Sequence, residues 1–300
     1  MAGLETLFFA PPIQQPQITF NIEKIQQVYD NYTVNYHAGI TMVMGHPFND
    51  ETFRKKIIAE QNAIKEVFVK HNLEELLILY DADYQIHATV LELAGQHDKI
   101  GTTQRVLEDE ELIKSSKTKN AININYTIEW IKKTEPFEVE LGSGVLSEEH
   151  RDQTIRITDT GQIVMKGRAK DRKLMAEIRA EFEANAHIFH KYGKEDDEFF
   201  FVIGYLKPDF RLLNQEFRMD LEKCINARRP NIQLALKVDA VKIIAFDKYS
   251  LDAEACLWES KELKFKQEPD LPQKTLLGTI RAINEELKLA IEAEQYKEAM

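Results

Sequence analysis

The chain has 300 residues, 43% of them apolar, and a formal net charge of −11. That length and composition allow one large α/β or α+β domain, or two small ones, around a substantial core. The acidic balance disfavours nonspecific binding to a long polyanion but leaves room for a small anionic ligand in a locally basic cleft.

Cys224 and Cys256 lie far apart without ligand-type spacing, so neither a disulfide framework nor a zinc site is expected, and a reducing compartment fits best. No charged start followed by an apolar run opens the chain, and no stretch approaches the roughly 18 apolar residues that span a bilayer. The expectation is a soluble, cytoplasmic protein with no membrane association.

In chain order, residues 1–20 carry Pro11, Pro12 and Pro16 and read as an irregular arm, followed by a short helix over 21–32. Gly39–Gly45 reads as a strand covered on both faces and ended by Pro47. Asn49 or Asp50 caps a helix to about His71, with Phe53, Ile57, Ile58, Ile64, Val67 and Phe68 at helical spacing. After the turn-like Asp81-Ala82-Asp83 comes a strand over 84–93.

Residues 96–120 are polar and charged, with the acidic run Glu108–Glu111 as a solvated face, and a helix follows near 122–133. Phe137–Leu141 alternates as a half-exposed strand, and 154–158 and 162–166 flank Asp159-Thr160-Gly161 as a hairpin. A helix over 169–189, the very apolar strand 199–206, a helix over 209–227, and strands 238–246 and 255–258 complete the body. Residues 274–298 carry Leu276, Ile280, Ile283, Leu287 and Ile291 near a three-four repeat, a helix packed on its own body or available for docking and dimerisation.

The 84–93 strand holds the clearest chemical signal. Side chains two apart on a strand share a face, so His87 and Thr89 point one way while Ile86, Ala88 and Val90 point the other. An imidazole beside a hydroxyl is a small phosphate-handling unit, since one moves a proton and the other holds an oxygen. The plainer reading of a lone strand histidine is a hydrogen-bonded core or rim residue.

Strand, helix, strand recurs in the chain, at 39–45, 50–71 and 84–93 and again at 137–166, 169–189 and 199–206. With His87-Ala88-Thr89-Val90 on the strand after the first long helix, this arrangement resembles the 2H phosphoesterase family. The resemblance covers roughly residues 36–258 and implies a bilobal, pseudo-twofold α+β fold of antiparallel sheets and flanking helices, with lobes at about 36–135 and 136–258. The arm at 1–35 and a helical extension at 259–300 lie outside it. In that family two His-x-Ser/Thr motifs face each other across a cleft. One histidine deprotonates the attacking oxygen, the other protonates the leaving oxygen, and the two hydroxyls hold the phosphate.

The second motif departs from the pattern. Aligned on Ile203-Gly204-Tyr205-Leu206, the histidine position is Phe200 and the threonine position is Val202, and of the eight histidines only His87 has Ser or Thr two residues on. The resemblance therefore implies a ligand-binding relative with impaired or absent catalysis, taking a nucleotide, another phosphorylated small molecule or a short RNA end, with His87 and Thr89 as its polar contacts. An active cyclic phosphodiesterase would need a second acid or base, for which Tyr36, His37, Tyr84, Tyr205 and Lys207 are candidates. The third reading is an interaction scaffold that docks through the C-terminal helix.

No cofactor or metal is expected. His187 and His190 are three apart but have no third ligand, and Asp81 and Asp83 are explained by a turn. Gly142-Ser143-Gly144 is followed by Ser147-Glu148-Glu149 and reads as a turn rather than a phosphate nest. Arg156, Lys166 and Arg168 read as exposed hairpin charges, with a basic cleft wall as the other reading. Trp130 and Trp258 are expected in the core or at its rim.

Overall fold

The computed structural model describes residues 17–34, 39–45, 50–95, 124–141, 155–186, 188, 198–228, 234–251 and 255–266. In chain order these form α1 (Ile22–Thr33), β1 (Gly39–Met44), α2 (Glu51–Lys70), β2 (Leu77–Leu79), β3 (Ala88–Gly95), α3 (Ile124–Lys133), β4 (Phe137–Leu141), β5 (Ile155–Ile157) and β6 (Gln162–Ala169). There follow α4 (Leu174–Ala186), β7 (Glu198–Leu206), α5 (Gln215–Arg228), β8 (Leu234–Val238), β9 (Ala240–Phe246), β10 (Cys256–Glu259) and β11 (Leu263–Lys264). The expected arm, the 96–120 segment, Gly142-Ser143-Gly144, His187, His190 and the C-terminal helix lie largely or wholly outside the described residues.

The fold is α+β, built on two antiparallel sheets. One runs β10-β9-β1-β3, with β11 also on β9, and the other runs β2-β7-β6-β4-β8, with β5 also on β6. Each sheet takes strands from both sides of residue 135. β2 joins β7 in the second sheet, and the chain changes sheets at Asp239, where β8 ends on β4 and β9 begins, pairing with β11 at Ala240 and with β1 from Lys242. The strand expected over 238–246 is therefore split at its second residue, and the Asp239 carbonyl accepts from Phe265 N–H at 2.8 Å.

Local chemistry sets the boundaries. Asp50 caps α2, its carboxylate accepting from Phe53 N–H at 2.9 Å, and Phe53, Ile57, Ile64 and Phe68 form the buried stripe while Ile58 stays on the solvent side. The 209–227 helix is in fact two elements. Asp209 caps a 3-10 turn at Phe210–Leu213, and the Asn214 side chain then accepts from Phe217 N–H at 3.0 Å to start α5. α4 begins later than expected because β6 continues to Ala169 and Lys170 N–H still donates to Glu138 O, at 2.9 Å.

Gly161, at φ +79°, closes the β5–β6 hairpin, with its N–H donating to Thr158 O at 3.0 Å. Phe53 meets Phe201 with ring centres 5.2 Å apart and Phe68 meets Phe217 at 4.9 Å, which seats α2 against β7 and α5. Trp130 is buried against Phe182 of α4, and Trp258 is half-buried at the rim. No helix among the described residues is long and apolar enough to cross a membrane.

Candidate functional site

A cleft of about 680 Å³ opens between the two sheets, within the range of ligand pockets. His87, Thr89 and Glu92 line it from the first sheet, with Thr41 of β1 and Phe246 of β9. Glu198, Phe200 and Val202 of β7 line it from the second, with Val164 of β6 and Arg156 of β5. The alternation is as the sequence implies: Ile86, Ala88 and Val90 are buried, His87 is half-buried and Thr89 is exposed.

His87 stands one residue before β3 rather than within a strand starting at 84. Asp83 N–H donates to the Asp81 carboxylate at 2.7 Å, Gln85 N–H to Asp81 O at 2.9 Å, and Asp81 N–H to the Gln85 side-chain oxygen at 2.9 Å, so this segment is a turn. Asp83 also pairs with Arg54 at 2.6 Å. The turn fixes the histidine. Its Nδ1 lies 2.6 Å from Gln85 O, and because a carbonyl only accepts, Nδ1 carries the proton and Nε2 is the nitrogen that gains or loses the second one. Farther along β3, one irregularity in its register with β1, between Thr89 and Leu91 opposite Val43 and Met42, lies between Thr89 and Glu92, and both side chains line the cleft.

The opposite wall sets apolar Phe200, Val202 and Val164 beside charged Glu198 and Arg156, with Lys166 sealed beneath. Val202 pairs with Val164 and Phe200 with Lys166 across the β6–β7 ladder. Lys166 is 1% exposed and donates to Glu198, which also accepts from Arg168 at 3.0 Å. The Lys166 ammonium lies 4.8 Å, and the Arg156 guanidinium carbon 5.8 Å, from the centre of the Phe200 ring. Burial, then the nearby Arg156 and Arg168 charges, hold the Lys166 ammonium below its ordinary pKa against the pull of Glu198. For Glu198, burial acts to raise the carboxyl, but hydrogen bonds and charge from Lys166 and Arg168 outweigh it and leave the pKa low. Burial likewise lowers Arg156.

These hairpin cations are thus not the exposed charges that are the default for a hairpin: Lys166 is sealed, and Arg156 reaches the cleft.

Of the other candidate residues, Tyr36 and His37 lie outside the described residues. Tyr84 sits in the Asp81–Gln85 turn and hydrogen-bonds the Cys256 thiol, away from the lining. Tyr205 is buried beneath the rings of Tyr32 and Tyr80, at 4.9 and 5.8 Å, and those two rings take the places on the cleft. Lys207 lies past the end of β7, its N–H donating to Leu76 O at 2.8 Å, and does not line the cleft.

The structure adds residues the sequence did not single out. Arg179 is 2% exposed yet lines the cleft, and Tyr249 lies at the mouth with its ring 6.4 Å from Tyr32. Arg179 had a readable signal, since it falls on the buried stripe of α4 with Met175, Ile178 and Phe182. Tyr249 and Phe246 had none, because their place depends on how β9 pairs. Among the described residues no group of three or more metal-ligating side chains comes together.

No protein-family model matches the chain, and no curated protein matches it. Among solved structures, it is similar to a conserved protein of unknown function, ATU0111, from Agrobacterium tumefaciens str. C58, at 14% identity over 85% of this chain and 94% of that one, with a TM-score of 0.45. It is also similar to Kluyveromyces marxianus Usb1 with uridine monophosphate, at 11% identity over 70% of this chain and 93% of that one, with a TM-score of 0.36. At these values neither likeness defines the chemistry of this chain.

Proposed function

We propose that the cleft binds a small phosphorylated ligand, a nucleotide or the end of a short RNA, and that the protein is a 2H phosphoesterase-like relative with impaired or absent catalysis. The observation that carries this reading is the position of His87 and Thr89 across one cleft from Phe200 and Val202. His87, oriented by the Gln85 carbonyl, donates from Nε2 to a phosphate oxygen when protonated and accepts from a hydroxyl when neutral. Thr89 donates its hydroxyl to a second oxygen. Tyr32, Tyr80, Phe246 and Tyr249 give the cleft flat apolar surface suited to a base.

Acid–base phosphoryl chemistry needs a second proton carrier on the facing wall, and each such group contributes roughly a hundred- to ten-thousand-fold. Phe200 and Val202 carry no exchangeable proton, Arg156 and Arg179 hold theirs at all ordinary pH, Lys166 is sealed behind Phe200, and the Glu198 carboxyl on the same wall is held ionised and hydrogen-bonded by Lys166 and Arg168. Binding without efficient turnover follows.

The test is titration and turnover with adenosine 2′,3′-cyclic monophosphate and short oligoribonucleotides, comparing wild type with His87→Ala. Binding that weakens in the variant, without turnover, supports the reading. Turnover abolished by His87→Ala would replace it with an active phosphodiesterase, and neither binding nor turnover would leave the interaction scaffold.

A further inference from the structure

Two carboxylates line the cleft, and they differ in what answers them. Glu198 is held by Lys166 and Arg168. The Glu92 carboxylate, half-buried on β3, makes no hydrogen bond or ion pair among the described residues, and the hydroxyl of Thr41, its partner across the β1–β3 ladder, donates instead to Leu91 O at 3.4 Å. Register sets it apart from the phosphate-handling pair. Thr89 stands opposite Val43 and Glu92 opposite Thr41, so the two are separated by about 7 Å along β1, and His87 lies farther from Glu92 than Thr89 does. β9 brings an aromatic ring to the Glu92 end. Phe246 pairs with Gly39, and its ring lies over that glycine so closely that a Cβ there would fall 2.5 Å from Cζ. Gly39 and Thr41 share a face of β1, and Tyr249 packs against the Phe246 ring with centres 5.8 Å apart. One end of the cleft thus holds an imidazole and a hydroxyl, and the other a carboxylate that only accepts, beside aromatic rings.

Resting on the binding reading above, we propose that Glu92 makes the cleft selective for a guanine nucleotide: the phosphate lies at His87 and Thr89, and the carboxylate accepts from N1–H and the exocyclic amine of the base. A carboxylate repels phosphate, so the Glu92 end faces the donor side of the ligand. Guanine alone among the four RNA bases sets two N–H donors side by side on one edge, matching the two oxygens of one carboxylate. Adenine and cytosine present an amine beside a ring nitrogen whose lone pair would face the carboxylate, and uracil presents a single N–H between two carbonyls. The ribose hydroxyls are the other donors, but they adjoin the phosphate, whereas the stretch of cleft from Thr89 to Glu92 suits the ribose and ring that separate a phosphate from the far edge of its base. A base laid against Phe246 and Tyr249 excludes water from the pair of hydrogen bonds, which strengthens them.

Isothermal titration calorimetry of the full chain with the 3′-monophosphates of guanosine, inosine, adenosine and 2′-deoxyguanosine tests this, using wild type, Glu92→Gln and His87→Ala. Wild type should bind the guanosine nucleotide about tenfold tighter than the adenosine one, the order of one bidentate base contact. Inosine, which lacks the exocyclic amine, should fall between, and 2′-deoxyguanosine should match guanosine. Glu92→Gln should bring the guanosine-to-adenosine ratio near unity without weakening adenosine binding, because a charge that repels phosphate is gone. His87→Ala should weaken all four and leave the ratio in place. Circular dichroism monitors folding, and if Glu92→Gln unfolds, the inosine and 2′-deoxyguanosine affinities of wild type decide. Equal binding of guanosine and adenosine nucleotides by wild type, or a preference that survives in folded Glu92→Gln, overturns the guanine assignment and leaves the cleft reading standing. A 2′-deoxyguanosine nucleotide that binds about tenfold more weakly than guanosine overturns it too, by putting the carboxylate on the ribose. No binding of any of the four by wild type overturns both.

Discussion

Lys166 and Phe200 are direct partners across the β6–β7 ladder, with the ammonium 4.8 Å from the centre of the ring. Phe200 faces the cleft and Lys166 is sealed, so the ring presents an apolar surface to a ligand while Lys166 and Arg156 stand near it. This pairing governs what a polar replacement at position 200 would do. An imidazole there would lie beside Lys166 and Arg156, and like charge would hold it neutral at pH 7, ready to act as a base.

Phe200→His combined with Val202→Thr is therefore expected to complete the missing half of the site. Turnover of adenosine 2′,3′-cyclic monophosphate should rise about a hundredfold over wild type, the lower end of what one acid–base group supplies. Chromatographic assay of the product checks this, and a folded double variant with no gain would count against the equivalence of these positions to a second motif.

The Lys166–Glu198–Arg168 network makes a prediction about acid stability. Glu198 has a folded-state pKa below its ordinary value of 4.5: burial opposes the shift, and the hydrogen bonds from Lys166 and Arg168 overcome it. A carboxyl depressed in this way contributes stability above its unfolded pKa and loses it as pH falls through the folded one. Wild type should thus lose more stability than Glu198→Gln on acidification below 4.5, because glutamine does not titrate. Thermal melts of both proteins over this range measure it, and parallel curves would show that the network does not couple to folding.

Gly204 marks a close approach of β2 to β7. A Cβ there would lie 2.6 Å from the Ile78 carbonyl oxygen, a backbone atom with little freedom to retreat. Gly204→Ala should cost about 1–3 kcal/mol, the usual range for overpacking, as read by urea denaturation. A change under a few tenths would mean that β2 slides without penalty.

Gln61, buried on α2, donates to Tyr80 O at 2.7 Å and to Ile203 O at 2.9 Å, and so ties the helix to β7 and to the segment that carries the Tyr80 ring into the cleft. Gln61→Leu leaves a buried carbonyl with one fewer donor at each end and should destabilise by about 2 kcal/mol. Nucleotide affinity should fall with it as Tyr80 loosens. Denaturation and titration of the same variant separate the two effects.

What the sequence made legible was local. The Asp50 cap with the Phe53, Ile57, Ile64 and Phe68 stripe, the Phe137–Leu141 alternation and the Gly161 turn all lie in side-chain chemistry a few residues wide, and all stand in the fold. The period of two also put His87 and Thr89 on one face. Pairing between distant segments was not legible. Leu77–Leu79 is too short to read as a strand and exists because β7 holds it, and Asp239 gives no local sign that the chain changes sheets there. The same limit applies at the site: Tyr249 reaches the cleft through tertiary packing, Arg179 shows in the sequence only as a polar residue on the buried stripe of α4, and Tyr205 is kept from the cleft because Tyr32 and Tyr80 lie over its ring.

The central claim is that a phosphate sits against the His87 imidazole, and nuclear magnetic resonance of histidine ring-labelled protein during addition of adenosine 3′-monophosphate tests it most directly. His87 ring signals should move saturably with the nucleotide, with the shifts lost in His87→Ala and the His71 ring, bound to Asp220 on another face of the molecule, left in place. A His87 signal unmoved at saturating nucleotide would contradict the account.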